Sequence, residues 1–289
     1  SGLSLRGIYW DGDAAAMAET RNLQPALTVV NLALWRGLAP KTRPSAAAGH
    51  SLGEYSALAA AGVLPVDAVL ELVSLRGRLM SEADPQGNGA MAAIVKLPLE
   101  TVRQCVEAVE REGAGLLLVA NYNTPAQFVV SGEKSAVEAV QEKVKAARGR
   151  AIVLPVSGAF HSPMMAEAAA ELASAIDALS KSAWSKAAFP VYCNADPKAR
   201  TDAESLKSLL KRQMTSPVYW IETIGALWDD GCRAFVECGP KGVLGKMVGP
   251  ILSAHGPAAP ADGVEELPWR VLTVGNERQL LEFSMEQMP

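Results

Sequence analysis

The feature that most constrains the fold of this chain is the pentapeptide GHSLG at positions 49–53. An apolar run at 46–48 precedes it, and a helix-forming run at 54–62 follows it. In this strand–turn–helix context, G-x-S-x-G predicts a nucleophile elbow, a sharp turn that raises a serine hydroxyl above a sheet. Both flanking glycines are expected to be required, because a Cβ at either position would meet the strand or the helix. Ser51 is therefore a candidate nucleophile.

Length and charge limit the class of protein. With 289 residues, 49% of them hydrophobic, the chain can form one large domain or a domain with a smaller one inserted. A net charge of −4 argues against a nucleic-acid partner. No segment approaches the roughly 18 to 20 consecutive apolar residues that cross a bilayer. The first residues also lack the pattern of a signal peptide. We therefore expect neither a nucleic-acid partner nor a membrane.

The cysteines indicate the compartment. Their spacings are unrelated and include no CxxC pair: Cys105, Cys193, Cys232 and Cys238. This pattern argues against a zinc site or a disulfide framework and favours free thiols in a reducing cytoplasm. We expect a cytoplasmic protein without a bound metal.

The start of the chain resembles the middle of a helical region. Its sequence, SGLSLRGI, has no initiator methionine, and no strand precedes the first predicted helix. We expect that further residues precede Ser1.

The middle of the chain has its own pattern of elements. Its predicted strands cover 90–97, 116–120, 127–131 and 151–155, and its predicted helices cover 99–112 and 134–147. The turn-prone segment 121–125 separates the second and third strands. The order β-α-β-β-α-β is typical of a ferredoxin-like unit. We expect this unit to form a compact lobe inserted into a larger domain.

Strands and helices alternate in the rest of the chain. Predicted strands cover 45–50, 190–194, 233–238 and 270–274. Predicted helices cover 22–38, 54–61, 66–81, 162–179, 202–214 and 219–230, and a last helix follows the final strand. A loop rich in proline, alanine and glycine is predicted at 256–263. This alternation predicts a parallel sheet with helices on both faces.

A serine nucleophile needs a general base, and the chain has three histidines. His50 adjoins Ser51, so its side chain should diverge from the hydroxyl, and His255 lies at the edge of the predicted loop. His161 follows a predicted strand and begins a helix, where open α/β sheets place their sites. We predict His161 as the base, the alternative being a histidine that caps a helix or packs in the core.

The residue that orients this base stays open on the sequence. A carboxylate is usual, and Asp196 and Glu237 are both conceivable. A backbone carbonyl would hold the same tautomer of His161.

Six motifs, in order, carry a family resemblance. They are GHSLGEY at 49–55, LRGRLM at 75–80, GAMAA at 89–93, GAFH at 158–161, QMTSPV at 213–218 and ECGP at 237–240. Together they closely resemble the malonyl-CoA:acyl-carrier-protein transacylases of bacterial fatty-acid synthesis. The resemblance implies an α/β-hydrolase-like large subdomain, 1–88 and 157–289, with an inserted ferredoxin-like subdomain, 89–156. That family begins with a strand and a Gly-Gln-Gly loop beside the oxyanion hole, and residues 1–50 contain no such segment.

The resemblance also implies roles for individual residues. Ser51 would carry the acyl group and His161 would be its base. Arg76 would bind the malonyl carboxylate. The Leu52 N–H would be one oxyanion donor, and the backbone carbonyl of Gln213 would orient His161.

Three further residues resemble substrate-binding positions of the family. Asn121 and Asn123 match a segment that lines the cleft, where they would contact the pantetheine arm. Phe160 resembles a residue that leaves room for malonyl and disfavours methyl-branched acyl groups.

The implied reaction transfers malonyl from malonyl-CoA to the phosphopantetheine thiol of an acyl carrier protein through a malonyl-serine, without a cofactor. Arginine suits the malonyl carboxylate because a guanidinium binds it with two parallel, charge-assisted hydrogen bonds. From its position in the sequence alone, Arg78 could bind the malonyl carboxylate as well as Arg76. The match to the family motif indicates Arg76. The alternatives are an acyltransferase domain of a polyketide synthase, a serine esterase or thioesterase, and a catalytically silent scaffold.

Acidic carrier proteins call for a basic docking face despite the net negative charge. Two clusters are candidates: Lys143, Lys145, Arg148 and Arg150, and Lys207, Lys211 and Arg212. Such runs are more often simply solvated helix faces.

Overall fold

The computed structural model describes residues 3–255 and 269–283. The predicted loop at 256–263 lies outside the described residues. The helices are α1 (Leu5–Trp10), α2 (Ala14–Ala18), α3 (Thr20–Leu38), α4 (Gly53–Ala60), α5 (Val66–Glu82), α6 (Leu99–Arg111), α7 (Lys134–Ala146), α8 (Ala166–Ala178), α9 (Ala203–Arg212), α10 (Trp220–Asp229), α11 (Gly245–His255) and α12 (Glu277–Glu282). The strands are β1 (Ala47–Ala48), β2 (Gly89–Val95), β3 (Leu117–Thr124), β4 (Gln127–Glu133), β5 (Arg150–Val153), β6 (Val191–Cys193), β7 (Asp196–Arg200), β8 (Ala234–Cys238) and β9 (Arg270–Val274).

Parallel strand pairs form the centre of the larger part. β1 pairs with β6 in parallel, Ala47 opposite Val191, and β7 adds an antiparallel edge strand that the sequence did not predict. β8 and β9 form a separate parallel pair in the described part of the chain. Only two residues of the predicted strand 45–50 lie in the ladder, because the chain leaves the sheet to form the elbow. The predicted α/β class is confirmed.

The inserted part is an antiparallel sheet in the order β3-β4-β2-β5, with α6 and α7 packed on it. This is the predicted ferredoxin-like arrangement. The prediction of a turn at 121–125 is wrong, because β3 continues to Thr124. Asn121 pairs with Val129 on one side and bridges to Val218 on the other, so hydrogen bonds from two neighbours override the turn preference of the asparagines. The subdomain limits, 1–88 with 157–289 and 89–156, stay a prediction.

The small sheet buries both of its faces. Side chains alternate along β2, so Ala92 and Ile94 pack under α6 and α7 whereas Met91 and Ala93 join the core of the larger part. One face of the small sheet therefore belongs to the core of the larger part, and the other face forms a separate core with α6 and α7. No helix in the described residues is long and apolar enough to cross a membrane.

Candidate active site

Ser51 lies on a tight turn between β1 and α4. Its φ is +49°, a left-handed conformation that is strained for a residue with a side chain. A Cβ at Gly49 would lie 2.0 Å from the carbonyl carbon of Gly53, so this position requires glycine. A Cβ at Gly53 would meet nothing within 4 Å. The prediction that both glycines are required is therefore wrong for Gly53, which begins α4 with open space beside it.

His161 is placed as a base toward this serine. Its Nε2 lies 2.8 Å from Ser51 Oγ. On the other side of the ring, Nδ1 lies 3.0 Å from the carbonyl oxygen of Ser216 and 3.2 Å from that of Gln213. Carbonyls only accept, so Nδ1 carries the proton and Nε2 is free to accept the Ser51 hydroxyl proton. His161 also has a positive φ, +56°, so both members of the pair sit on strained turns.

The carboxylates considered as partners of His161 have other contacts. Asp196 forms ion pairs with Arg200 and Lys198. Glu237 accepts hydrogen bonds from the N–H groups of Val243 and Gly245. The nearest oxygen to Nδ1 belongs to Ser216, which the sequence reasoning missed, although it lies in the same QMTSPV motif as Gln213.

The electrostatic environment keeps His161 neutral. Burial, followed by the nearby Arg76 cation and His50, lowers the pKa of His161 to about 3. A neutral imidazole can accept a proton from serine, whereas a protonated one cannot. The site therefore holds its base in the reactive form at neutral pH.

Arg76 brings a positive charge to the same hydroxyl. Its side chain is only 1% exposed, and its Nη2 donates to Ser51 Oγ at 3.0 Å and to Gln213 Oε1 at 3.2 Å. Its Nη1 donates to Gln24 Oε1 at 2.7 Å. No carboxylate forms an ion pair with it, and its Nε has no partner, among the described residues. Burial lowers the pKa of Arg76, and the nearby Tyr55 and Glu54 oppose this effect only in part.

Arg78, which position alone left equally eligible, lies on the opposite side of α5. It is exposed and pairs with Glu82 and Glu171. The structure thus separates two arginines that the sequence spacing could not. Gln24 was missed by the sequence reasoning, and its only signal was a polar residue beside Pro25 on a helix with a buried face.

Leu52 follows the nucleophile and precedes the first turn of α4. The N–H groups of Gly53 and Glu54 donate to His50 and Ser51 carbonyls, and the Ser51 N–H donates to Asn194 Oδ1. The Leu52 N–H has no hydrogen-bond acceptor in the part of the chain that the structure describes. It is positioned to bind an anion at the helix N-terminus.

The two predicted asparagines lie on β3 next to the elbow. Asn123 Oδ1 lies 2.8 Å from His50 Nε2, and the His50 ring packs edge-on against Trp220 with centroids 5.5 Å apart. His50 therefore points away from the hydroxyl of Ser51, as predicted. Asn121 is buried in the bridge to Val218, and Phe160 is buried in the large core directly before His161.

A cavity of about 390 Å³ reaches this site. His161, Pro163 and Thr215 line it from the large part, and Tyr122 and Arg103 line it from the small one. The cavity thus lies between the two parts with His161 in its wall, next to the hydroxyl of Ser51.

The remaining candidate groups lie elsewhere. Lys143 pairs with Glu112, and Lys207 and Lys211 both pair with Asp177. His255 ends α11 and contacts Asp229. The four cysteines are unpaired, and no three His, Cys, Asp or Glu side chains cluster as a metal site within the described ranges.

Comparisons with known proteins agree with this geometry. Residues 1–261 match the family described as acyl transferase domain. The chain is 39% identical over 246 residues to the malonyl CoA-acyl carrier protein transacylase of Bacillus subtilis, covering 84% of this chain and 76% of that protein. It is 37% identical over 247 residues to the protein of the same name from Escherichia coli, covering 84% and 78%.

Solved structures give the same result. An acyl carrier protein S-malonyltransferase from Vibrio cholerae superimposes with a TM-score of 0.85 at 33% identity, over 97% of this chain and 87% of that one. A malonyl-transacylase in complex with its type II PKS acyl-carrier protein superimposes with a TM-score of 0.86 at 34% identity, over 97% and 85%.

Proposed function

Because the chain belongs to the acyl transferase domain family, we propose that it transfers a malonyl group from malonyl-CoA to the phosphopantetheine thiol of an acyl carrier protein. It is an acyltransferase, an [acyl-carrier-protein] S-malonyltransferase, and it supplies malonyl units for fatty-acid synthesis.

The observation that carries the proposal is the buried guanidinium of Arg76 beside the Ser51–His161 pair. A buried cation without a direct ion pair is costly, and the nearby Glu54 offsets only part of that cost. A bound carboxylate would pair with the guanidinium directly. A malonyl group carries its free carboxylate two bonds beyond the reacting carbonyl, which matches a cation that lies 3.0 Å from the nucleophilic oxygen. A simple esterase has no need for this group.

The chemistry follows from the contacts of Ser51. Its hydroxyl attacks the thioester carbonyl while His161 Nε2 takes the proton. The oxyanion of the tetrahedral intermediate accepts from the Leu52 N–H, and loss of one such donor typically costs about 3 to 4 kcal/mol. Coenzyme A leaves with the proton from His161, giving malonyl-Ser51. The carrier thiol then attacks through the same steps in reverse, which predicts ping-pong kinetics.

The other predicted residues support binding and orientation. The carbonyls of Gln213 and Ser216 hold His161 in one tautomer. The cavity at His161 takes the pantetheine arm. Asn121 and Asn123 lie on β3 on either side of Tyr122, which lines that cavity, and they support its wall rather than line it. Phe160 limits the space for branched acyl groups beside the base. The reaction needs no cofactor or metal.

The partner is an acyl carrier protein, and the relative solved with its carrier supports this. The clusters around Lys143 and Lys207 stay candidate docking faces. Lys143, Lys207 and Lys211 form ion pairs, whereas Lys145, Arg148, Arg150 and Arg212 form none with the described carboxylates. The unpaired cysteines favour a cytoplasmic location.

Intact-protein mass spectrometry after mixing with malonyl-CoA tests the proposal. We expect one malonyl adduct that is absent in Ser51→Ala, retained in the control Ser174→Ala on the surface of α8, and discharged by a holo carrier protein. Rapid release of free malonate without a carrier would indicate a hydrolase instead. Absence of any adduct would indicate a silent scaffold.

A further inference from the structure

The turn at Ser51 needs support that its own sequence does not supply. β1 ends at Ala48, whereas its parallel neighbour β6 continues to Cys193, so the elbow has left the ladder. The left-handed conformation of Ser51 is strained and persists only where the surroundings impose it. The half-buried N–H of Ser51 and the buried carbonyl of Gly49 must also find hydrogen-bond partners.

One side chain meets both needs. Asn194, the residue that follows β6, is 0% exposed. Its Oδ1 accepts from the Ser51 N–H at 2.5 Å, and its Nδ2 donates to the Gly49 carbonyl at 2.6 Å. The carboxamide therefore gives the turn one acceptor and one donor, as the backbone of a residue in a neighbouring strand would.

Asn194 is itself fixed on both sides of its backbone. Its N–H donates to Glu54 Oε2 at 2.8 Å, and its carbonyl accepts from the Tyr219 N–H at 3.2 Å. Glu54 is also 0% exposed and lies in the first turn of α4, three residues after the nucleophile. The elbow and the end of β6 thus hold each other through two buried side chains, Asn194 and Glu54.

We infer that Asn194 is the positioning residue of the nucleophile: its carboxamide, anchored by Glu54, holds Ser51 in the strained turn that aims its hydroxyl at His161. The pairing requires an amide, since the Ser51 N–H demands an acceptor and the Gly49 carbonyl demands a donor. It also engages the Ser51 N–H, which leaves the Leu52 N–H to bind the oxyanion. The kinetic test of this inference rests on the proposed function, whereas the contacts from which it is drawn do not.

The variant Asn194→Asp keeps the shape and places an acceptor against the Gly49 carbonyl. We expect the rate of malonyl-Ser51 formation in rapid-quench experiments to fall about 100-fold, since a displaced reacting group costs that order of rate. The KM for malonyl-CoA should stay within about twofold and the preference for malonyl over acetyl should be unchanged, because Arg76 is untouched. Asn88→Asp, at an exposed asparagine, is the control and should keep the native rate.

An acylation rate for Asn194→Asp within about threefold of the native rate, or a loss confined to KM, would overturn the inference. A fluorophosphonate probe, which reports an activated serine whatever the acyl group, separates this from failure of the proposed function. If native protein reacts with the probe but not with malonyl-CoA, the function fails, and the probe rates of native protein and Asn194→Asp still decide the inference.

Amide hydrogen exchange of the native protein decides the point even if the variant does not fold. We expect a protected Ser51 amide beside an exchanging Leu52 amide. A Ser51 amide that exchanges as fast as that of Leu52 would contradict the role of Asn194.

Discussion

Arg76 and Arg78 show that the surroundings of an arginine determine whether its charge is available to a substrate. They are two positions apart on α5, yet one guanidinium is buried against the hydroxyl of Ser51 and the other is paired with surface carboxylates. Under the proposed function, the buried guanidinium distinguishes an acyl group that carries a carboxylate from one that does not, whereas water screens the charge of the exposed one.

Replacement of Arg76 by alanine is expected to abolish the preference for malonyl over acetyl thioesters. A charge-assisted pair is worth about 1.5–3 kcal/mol, so the ratio of the two kcat/KM values should fall about 10- to 100-fold. Steady-state kinetics with malonyl-CoA and acetyl-CoA measure this ratio. Arg78→Ala is the matched control and should keep it. A preference that survives in Arg76→Ala would assign the carboxylate to another cation.

The protonation state of His161 leads to a prediction for the pH dependence of the reaction. Its pKa is lowered to about 3, mainly by burial and then by Arg76, so the imidazole stays neutral as pH falls through 6.5. The acid limb of kcat/KM should therefore lie well below the ordinary histidine range, with little change between about pH 5 and 7.5. In Arg76→Ala, assayed with acetyl-CoA, the limb should move to higher pH because one cation is gone. A native limb near 6.5 would contradict this account.

The elements that build the site meet at the carboxyl ends of two parallel strands. β1 delivers Ser51, and β6 delivers Asn194 beside it, as open α/β sheets commonly arrange their sites. Between them the turn is so tight that Gly49 touches the backbone of Gly53. The elbow is therefore a tightly packed turn rather than a flexible loop.

The two glycines of the elbow are expected to differ on substitution. Gly49→Ala would place a methyl group 2.0 Å from fixed backbone, so a destabilisation at or above the usual 1–3 kcal/mol of overpacking should accompany loss of acylation. Gly53→Ala has open space and gains helix propensity, worth up to about 1 kcal/mol. Urea unfolding and adduct formation measure both effects. Equal stability of the two variants would refute the packing argument.

At the scale of the whole molecule, the site depends on the contact between the two parts. The Tyr122 N–H donates to the Val218 carbonyl and the Val218 N–H to that of Ala120, which joins β3 to the larger part. His50, beside the nucleophile, contacts Asn123 on the same strand. The small subdomain thus forms one wall of the site rather than a separate unit.

A double-mutant cycle is expected to show this connection. Asn123→Ala leaves a buried ring nitrogen of His50 without its partner, which should cost about 1–3 kcal/mol in the free energy of unfolding. Because the two side chains share one hydrogen bond, Asn123→Ala and His50→Ala together should cost less than their sum, by at least about 0.5 kcal/mol. Urea unfolding of the four proteins gives the values. Additive effects would mean that the contact carries no energy.

What the sequence determined by itself was local. The elbow, the β-α-β-β-α-β order and the periodic helices follow from patterns of neighbouring residues, and His161 could be predicted because the chain offers so few histidines. The family motifs, rather than spacing, indicated Arg76. The turn expected at 121–125 was wrong because strand pairing with distant segments overrides it. The need for glycine at position 53 was wrong because the space beside that residue is open.

Only the tertiary structure decided which groups meet at the serine. Gln24 and Asn194 lie in none of the six motifs and act through side-chain amides. Ser216 lies in a motif but acts through its backbone carbonyl, a group that every residue has. The burial of Arg76, the tautomer of His161 and the support of the Ser51 turn all arise where β1, β6, α5 and the 213–216 turn converge. Sequence spacing cannot encode that convergence, since hydrogen bonds and desolvation depend on distances between segments that only folding brings together.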